Sequence, residues 1–242
     1  MKNWAKGVVA LLLTFTAGCV DIIGFMSLYK TFTAHMTGLT VHLGQDAVRV
    51  HAHDALILTA TLGAFVSGSV VGRILVEVGL RKKLRSPASP ALLLEFVLLF
   101  AVAWAGVVPG WRVAMVILLA GAMGVQTAAL TRVGSLTVHT TFVTGMLNKL
   151  AQLLSHAISL EYDVVRGRHE RLHLRPVVYR QVAFIASIWV AYFAGAVTGT
   201  ATEMAWSVRA LFVPAGVVLG VAVFDQVKPL GIEEELRDKG ER

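Results

Sequence analysis

Residues 31–50 read TFTAHMTGLTVHLGQDAVRV, and the fold turns on how they are read. The stretch is apolar enough to enter a bilayer. It also carries four threonines before Gly44, two histidines and Asp46, which suits neither a soluble loop nor a lipid-facing helix. It lies between two long apolar runs, 7–29 and 55–72. Backbone that departs from a continuous helix at membrane depth is tolerated only where protein or water covers it. A segment of this composition in this place is therefore expected to line an internal cavity.

The rest of the chain agrees with a membrane setting. Of 242 residues, 56% are hydrophobic and 15% charged, and the mean hydropathy is +0.69, values that belong to polytopic membrane proteins. The runs 55–72, 113–130 and 182–202 contain no Asp, Glu, Lys or Arg, and a crossing helix needs about 20 such residues. Three further runs are broken by a single charge each: 7–29 by Asp21, 90–108 by Glu95 and 204–224 by Arg209, whose long side chain can snorkel. Six crossings are expected. The N-terminal MKNWAKGVVALLLTFTAGC resembles an export signal, but the apolar run continues through Ile22, Ile23 and Phe25, and Thr16 stands where a lipobox has Leu. It is read as an uncleaved first span. The lone Cys19 excludes an intramolecular disulfide and a cysteine-cluster metal site.

The net charge of +7 is gathered beside the apolar runs, in Arg81, Lys82, Lys83 and Arg85 and again in Arg166, Arg168, Arg171 and Arg175. Juxtamembrane clusters of this kind mark cytoplasmic loops and anionic lipid rather than nucleic acid. A multi-pass inner-membrane protein with both termini cytoplasmic follows, with residues 228–242 as a solvated tail.

Internal similarity refines the picture. TAHMTGLTVHLG (33–44) and AFVSGSVVG (64–72) recur in order as TTFVTGMLNKLA (140–151) and AYFAGAVTG (191–199), and Val20-Asp21 aligns with Val125-Gln126. If the two polar segments do not cross, the loops carry 15 Lys and Arg inside and 4 outside; if both cross, the split is 12 and 7. The positive-inside bias favours the first arrangement. The expected fold is all-α: two inverted repeats, about 5–108 and 111–227, with six full spans and two broken or re-entrant polar helices. Eight spans is the alternative. Inverted repeats with interrupted helices are a transporter architecture, with the solute site near the midplane.

Candidate pathway residues are Asp21, His35, Thr37, Gly38, His42, Gln126, Thr141, Thr144, Gly145, Asn148 and Lys149, with Gly38 and Gly145 expected at bends. The alternative is that the threonines and glycines only let helices approach. Gly68, Gly72, Gly195 and Gly199 form two G-x-x-x-G pairs for helix packing, within the chain or between copies of it. Asp21 is a candidate for ion or proton coupling, with a structural ion pair of Asp21 or Glu95 with Lys149 as the alternative. Glu95 is expected near a helix start, where the dipole favours an acid. The histidines His35, His42, His51 and His53 match no compact metal site, so no metal is expected.

The elements V-D-I-I-G-F-M-S-L (20–28), F-T-A-H-M-T-G (32–38), L-G (43–44), G-V-Q-T-A-A-L (124–130) and T-T-F-V-T-G (140–145) resemble the YoaK family of bacterial integral membrane proteins of unassigned function. Leu39 and Thr127 stand where that family's pattern has Asn. The resemblance covers nearly the whole chain and implies an inner-membrane protein. No G-x-S-x-G, H-E-x-x-H or phosphate-binding glycine loop is present, so neither an enzyme nor a cofactor is expected. The expected function is movement of a small polar solute or ion by a secondary transporter, with a passive channel or a non-transporting scaffold or sensor as alternatives. The expected partners are the bilayer, the solute and a possible second copy of the chain.

Overall fold

The computed structural model describes residues 2–29, 31–108, 110–129, 132–133, 136–166 and 172–227. The expected tail, 228–242, and the basic residues Arg168 and Arg171 lie outside the described residues. Helix α1 (Lys2–Gly24) runs into a π turn at Phe25–Tyr29, and after a break the chain forms α2 (Met36–Arg49), α3 (Ala52–Arg81) and α4 (Ser89–Ala105). Then come α5 (Arg112–Ala129), a two-rung antiparallel ladder pairing Arg132–Val133 with Leu136–Thr137, α6 (Val143–Val165), α7 (Arg175–Trp206) and α8 (Phe212–Val227). Short 3-10 turns cover Leu172–Leu174 and Ser207–Leu211.

The boundaries follow from local chemistry. Both α4 and α7 carry Pro in the first turn, where its missing N–H costs nothing. Helix α2 ends at Val50 in the left-handed region, φ 60°, and the chain turns directly into α3. Four continuous helical stretches are long and apolar enough to cross a membrane: Trp4–Leu28, Ala52–Arg81, Arg112–Ala129 and Arg175–Val227. The last has 53 residues, far more than the roughly 20 that one crossing needs. It bends at Ser207, whose φ is 51°, and so divides into α7 and α8. Helix α4 is apolar but has only 17 residues.

Packing is dominated by two helix pairs, α1 with α7 and α3 with α5. Glycine makes both possible. A Cβ added at Gly195 would collide with the carbonyl oxygen of Phe15, and one at Gly68 with that of Gly121. The opposite helices answer with their own glycines: a Cβ at Gly18 would strike the Tyr192 carbonyl, and one at Gly124 the Phe65 carbonyl. Gly72 and Gly199 sit against Val125 and Cys19. All four glycines read as packing residues therefore lie at contacts inside the chain. Helix association in lipid rests on such backbone approach, because burial of apolar surface drives little there.

The buried core gathers side chains of α1, α4, α5 and α8, among them Leu13, Val20, Leu99, Leu119, Met123 and Val218. Helices α2 and α6 stand at the periphery, packed mainly on α3 and α7, and Leu39 is the one buried residue of α2. Glu95 departs from its expected place. Helix α4 begins at Ser89, which sets Glu95 nearly two turns in, beyond the dipole's reach. It is fully buried, and neither carboxyl oxygen has a hydrogen-bond partner among the described residues.

Gly195→Val and Gly68→Val should each lose the folded protein or cost about 1–3 kcal/mol or more, since backbone cannot yield as a side-chain tip can. Gly63→Ala, where nothing lies within 4 Å, should be neutral or stabilise by up to about 1 kcal/mol through helix propensity. Thermal denaturation in detergent, read by size-exclusion profile, checks the contrast.

Candidate functional site

The polar segment 31–50 follows the end of a disturbed helix, where α1 runs into the π turn at Phe25–Tyr29. Asp21 lies in α1 a turn before the π turn, and its carboxylate reaches forward to the break. Its Oδ1 accepts hydrogen bonds from the Thr33 amide (2.8 Å), the Thr33 hydroxyl (2.8 Å) and the Ala34 amide (2.7 Å). Its Oδ2 accepts one from the Tyr192 hydroxyl of α7, at 2.6 Å. The carboxylate is 3% exposed. Its hydrogen-bond partners among the described residues are backbone amides and hydroxyls.

The second half solves the same problem without charge. The Gln126 amide donates to the Leu13 carbonyl (2.9 Å) and the Thr140 hydroxyl (3.1 Å), while Thr127 and Thr141 share a hydrogen bond of 2.9 Å. Buried amides and hydroxyls left without partners would each cost a few kcal/mol, so these contacts fix where the two polar segments turn.

Between the segments lies a cavity of about 490 Å³. Asp21, His35 and Thr37 border it from the first half, Thr141 and Thr144 from the second, and Phe65 of α3 and Tyr192 of α7 close its sides. Five of the eleven expected pathway residues thus meet at one place. The other six do not line it. His42 and Asn148 are exposed on α2 and α6, Lys149 is partly buried on α6, and Gln126 is wholly buried beside the cavity's wall.

Gly38 and Gly145 have a role other than the bends expected of them. Each falls in the first turn of its helix, α2 or α6, and neither has a positive φ. A Cβ at Gly38 would press on the His35 ring at 3.2 Å, and one at Gly145 would collide with the Phe142 ring. The glycine lets the ring of the third residue before it fold back over the helix start. The chain bends earlier, in residues 31–35 and 138–142.

Sequence reasoning missed Thr127, Tyr192, Phe65, His139 and Phe142, all of which line the cavity. One signal was present in the letters: FTAH (32–35) and HTTF (139–142) hold the same two ring types three residues apart in opposite order. In the structure each pair makes an edge-on contact, Phe32 with His35 at 5.5 Å and His139 with Phe142 at 6.2 Å between ring centroids.

Four helical stretches long and apolar enough to cross a membrane define a polytopic α-helical membrane protein. The chain belongs to a family of unknown function, DUF1275, whose model matches residues 9–224. It is 30% identical over 227 residues to the UPF0700 transmembrane protein YoaK of Bacillus subtilis (strain 168), an alignment that covers 91% of this chain and 94% of that protein. No solved structure matches it.

Asp21→Asn keeps the shape but replaces one acceptor oxygen by a donor. It should lower stability by about 1–3 kcal/mol, with Tyr192→Phe costing less because a single hydrogen bond is lost. Glu95→Gln, isosteric and neutral at a site where an unpaired charge is very costly, should keep or raise the melting temperature. Parallel melting curves in detergent decide all three.

Proposed function

We propose that the protein carries a small polar solute or ion across the membrane as a secondary transporter, with the cavity beside Asp21 as its solute site. The observation that carries this reading is that the cavity's walls come from matched positions of the two halves. Helices α1 and α5 meet α7 and α3 through equivalent atoms: Phe15 and Gly121 touch Gly195 and Gly68, and Cys19 and Val125 touch Gly199 and Gly72. This register is one residue further along than the sequence alignment. It sets Thr127, not Gln126, against Asp21. Elsewhere the letter alignment holds: Gly38 matched to Gly145 relates Thr37 to Thr144 and His35 to Phe142, Gly68 matched to Gly195 relates Phe65 to Tyr192, and all of these border the cavity.

In this reading α1, α3, α4, α5, α7 and α8 are the crossings, three per half, and the halves are inverted. Helix α2 has 14 residues, about 21 Å of rise, too short to span alone. It then runs from mid-membrane to the outer face, and α6 runs from mid-membrane to the cytoplasmic face. Phe65 and Tyr192 fall near the middle of α3 and α7, which suits a cavity at the midplane.

A second reading, a passive channel, is favoured by one observation. Asp21 already accepts four hydrogen bonds, which suits a structural carboxylate as well as a coupling one.

Purified protein in sealed vesicles separates these. Uptake that requires a proton or sodium gradient supports the transporter; flux that needs none supports the channel; absence of flux for any polar solute or ion would sink both. Gly38→Leu, which drives the His35 ring off its seat, should abolish flux in folded protein. Topology is tested by cysteines at Lys82, Arg166, Val48 and Trp111. An impermeant thiol reagent added to intact cells should label the last two alone, and opposite sidedness of Lys82 and Arg166 would refute the inverted arrangement.

A further inference from the structure

We infer that the cavity binds a small solute carrying an ammonium group, seated against Asp21 and the surrounding rings. This rests on the reading of the cavity as a solute site and names the chemistry of the solute. Among the described residues the lining holds one carboxylate and no Lys or Arg. Three donors converge on Oδ1 of Asp21, but Oδ2 accepts only from Tyr192. A carboxylate offers about four acceptor positions, so Oδ2 keeps capacity for a donor or a cation inside the cavity.

Rings supply the rest of the recognition. His35, Phe65, His139, Phe142 and Tyr192 border the same space, and the Tyr192 ring is fixed by its bond to the carboxylate. Cations are drawn to aromatic faces, and quaternary ammonium groups are bound by aromatic cages on this principle. A bare metal ion fits poorly. It needs several ligands converging on one point, whereas no three His, Cys, Asp or Glu do so among the described residues, and about 490 Å³ is far larger than such an ion. A purely anionic solute would face Asp21 with no basic side chain beside it. The starts of α2 and α6 at Thr37 and Thr144 add only partial positive charge, about half an elementary charge each. That field accommodates an anionic end on the same solute, so zwitterions fall within the class.

The test uses choline and glycine betaine as probes, with 3,3-dimethyl-1-butanol as the neutral isostere of choline, titrated calorimetrically into the purified full chain in detergent. At least one ammonium probe is expected to bind ten times or more tighter than the isostere. Phe142→Leu should weaken it by about 2–30-fold, the range of a cation–π contact. Asp21→Asn, checked for folding, should bring choline and the isostere close to parity; if that variant fails to fold, Phe142→Leu alone decides. Binding of both ammonium probes no tighter than the isostere, no binding of either, or undiminished ammonium binding in Phe142→Leu overturns the inference. The flux assay is independent: uptake of a sugar or an anion with no ammonium binding would leave the transport reading standing and remove only this one.

Discussion

The carboxylate of Asp21 ties together three parts of the chain that are far apart in sequence: the first helix, the turn at Thr33 and Ala34, and Tyr192 on α7. Thr33 and Ala34 are buried, and a buried amide that leaves a helix without finding a partner costs a few kcal/mol. The break after α1 therefore depends on an acceptor placed within reach of those amides. A carboxylate meets that need best, since it accepts only and bonds to it are charge-assisted. The start of α2, the direction in which it leaves, and the seat of the Tyr192 ring all follow from that one group.

The second half uses Gln126, Thr127, Thr140 and Thr141 for the same purpose. A neutral set needs more members, because each hydroxyl or amide must spend donors as well as acceptors. Gln126 shows the cost: its Oε1 is buried without a partner among the described residues while its Nε2 serves two. In the proposed duplicated arrangement the two halves thus share a backbone plan and differ in charge. That difference makes the cavity polar in one direction, which an identical pair of halves could not do.

Much of this was legible in the letters, for physical reasons that can be named. Long charge-free runs and a composition of this kind have no stable home in water, so the all-helical membrane class was readable, as was the family from its motifs. The G-x-x-x-G pairs were readable because only glycine lets backbones touch, and Gly68 and Gly195 do so. The register was harder. Val20-Asp21 and Val125-Gln126 look alike, but helix contacts are set by which residues face the partner helix, and glycine at 18 and 124 fixes the match one residue later. Letter similarity carries no information about facing. The cavity's rings were missed for a related cause: Tyr192 and Phe65 stand in apolar helices where an aromatic residue is ordinary, and only the fold brings them to Asp21. His42 and Asn148 failed from the opposite side. Helical spacing put His42 on one stripe with His35 and Asn148 on one with Thr141, yet α2 and α6 turn most of their length away from the cavity.

What the two helix starts demand bears on what fills the space between them. His35 and Phe142 occupy the cap positions of α2 and α6, and neither gives a side-chain hydrogen bond to the first turn. The first amides of a helix have no partner within it, and uncapped ends in an apolar setting would be costly. Serine or aspartate at 35 and 142 would have satisfied them internally. Rings there give those amides no side-chain acceptor, and Met36, Thr37, Val143 and Thr144 all border the cavity. The cavity's lining is largely apolar, but it includes Asp21, Thr37, Thr127, Thr141 and Thr144, and water or a polar solute can serve as partner only where such groups are within reach. The choice of a ring over a capping hydroxyl at both positions thus trades internal satisfaction for openness toward the cavity, as the proposed solute site requires.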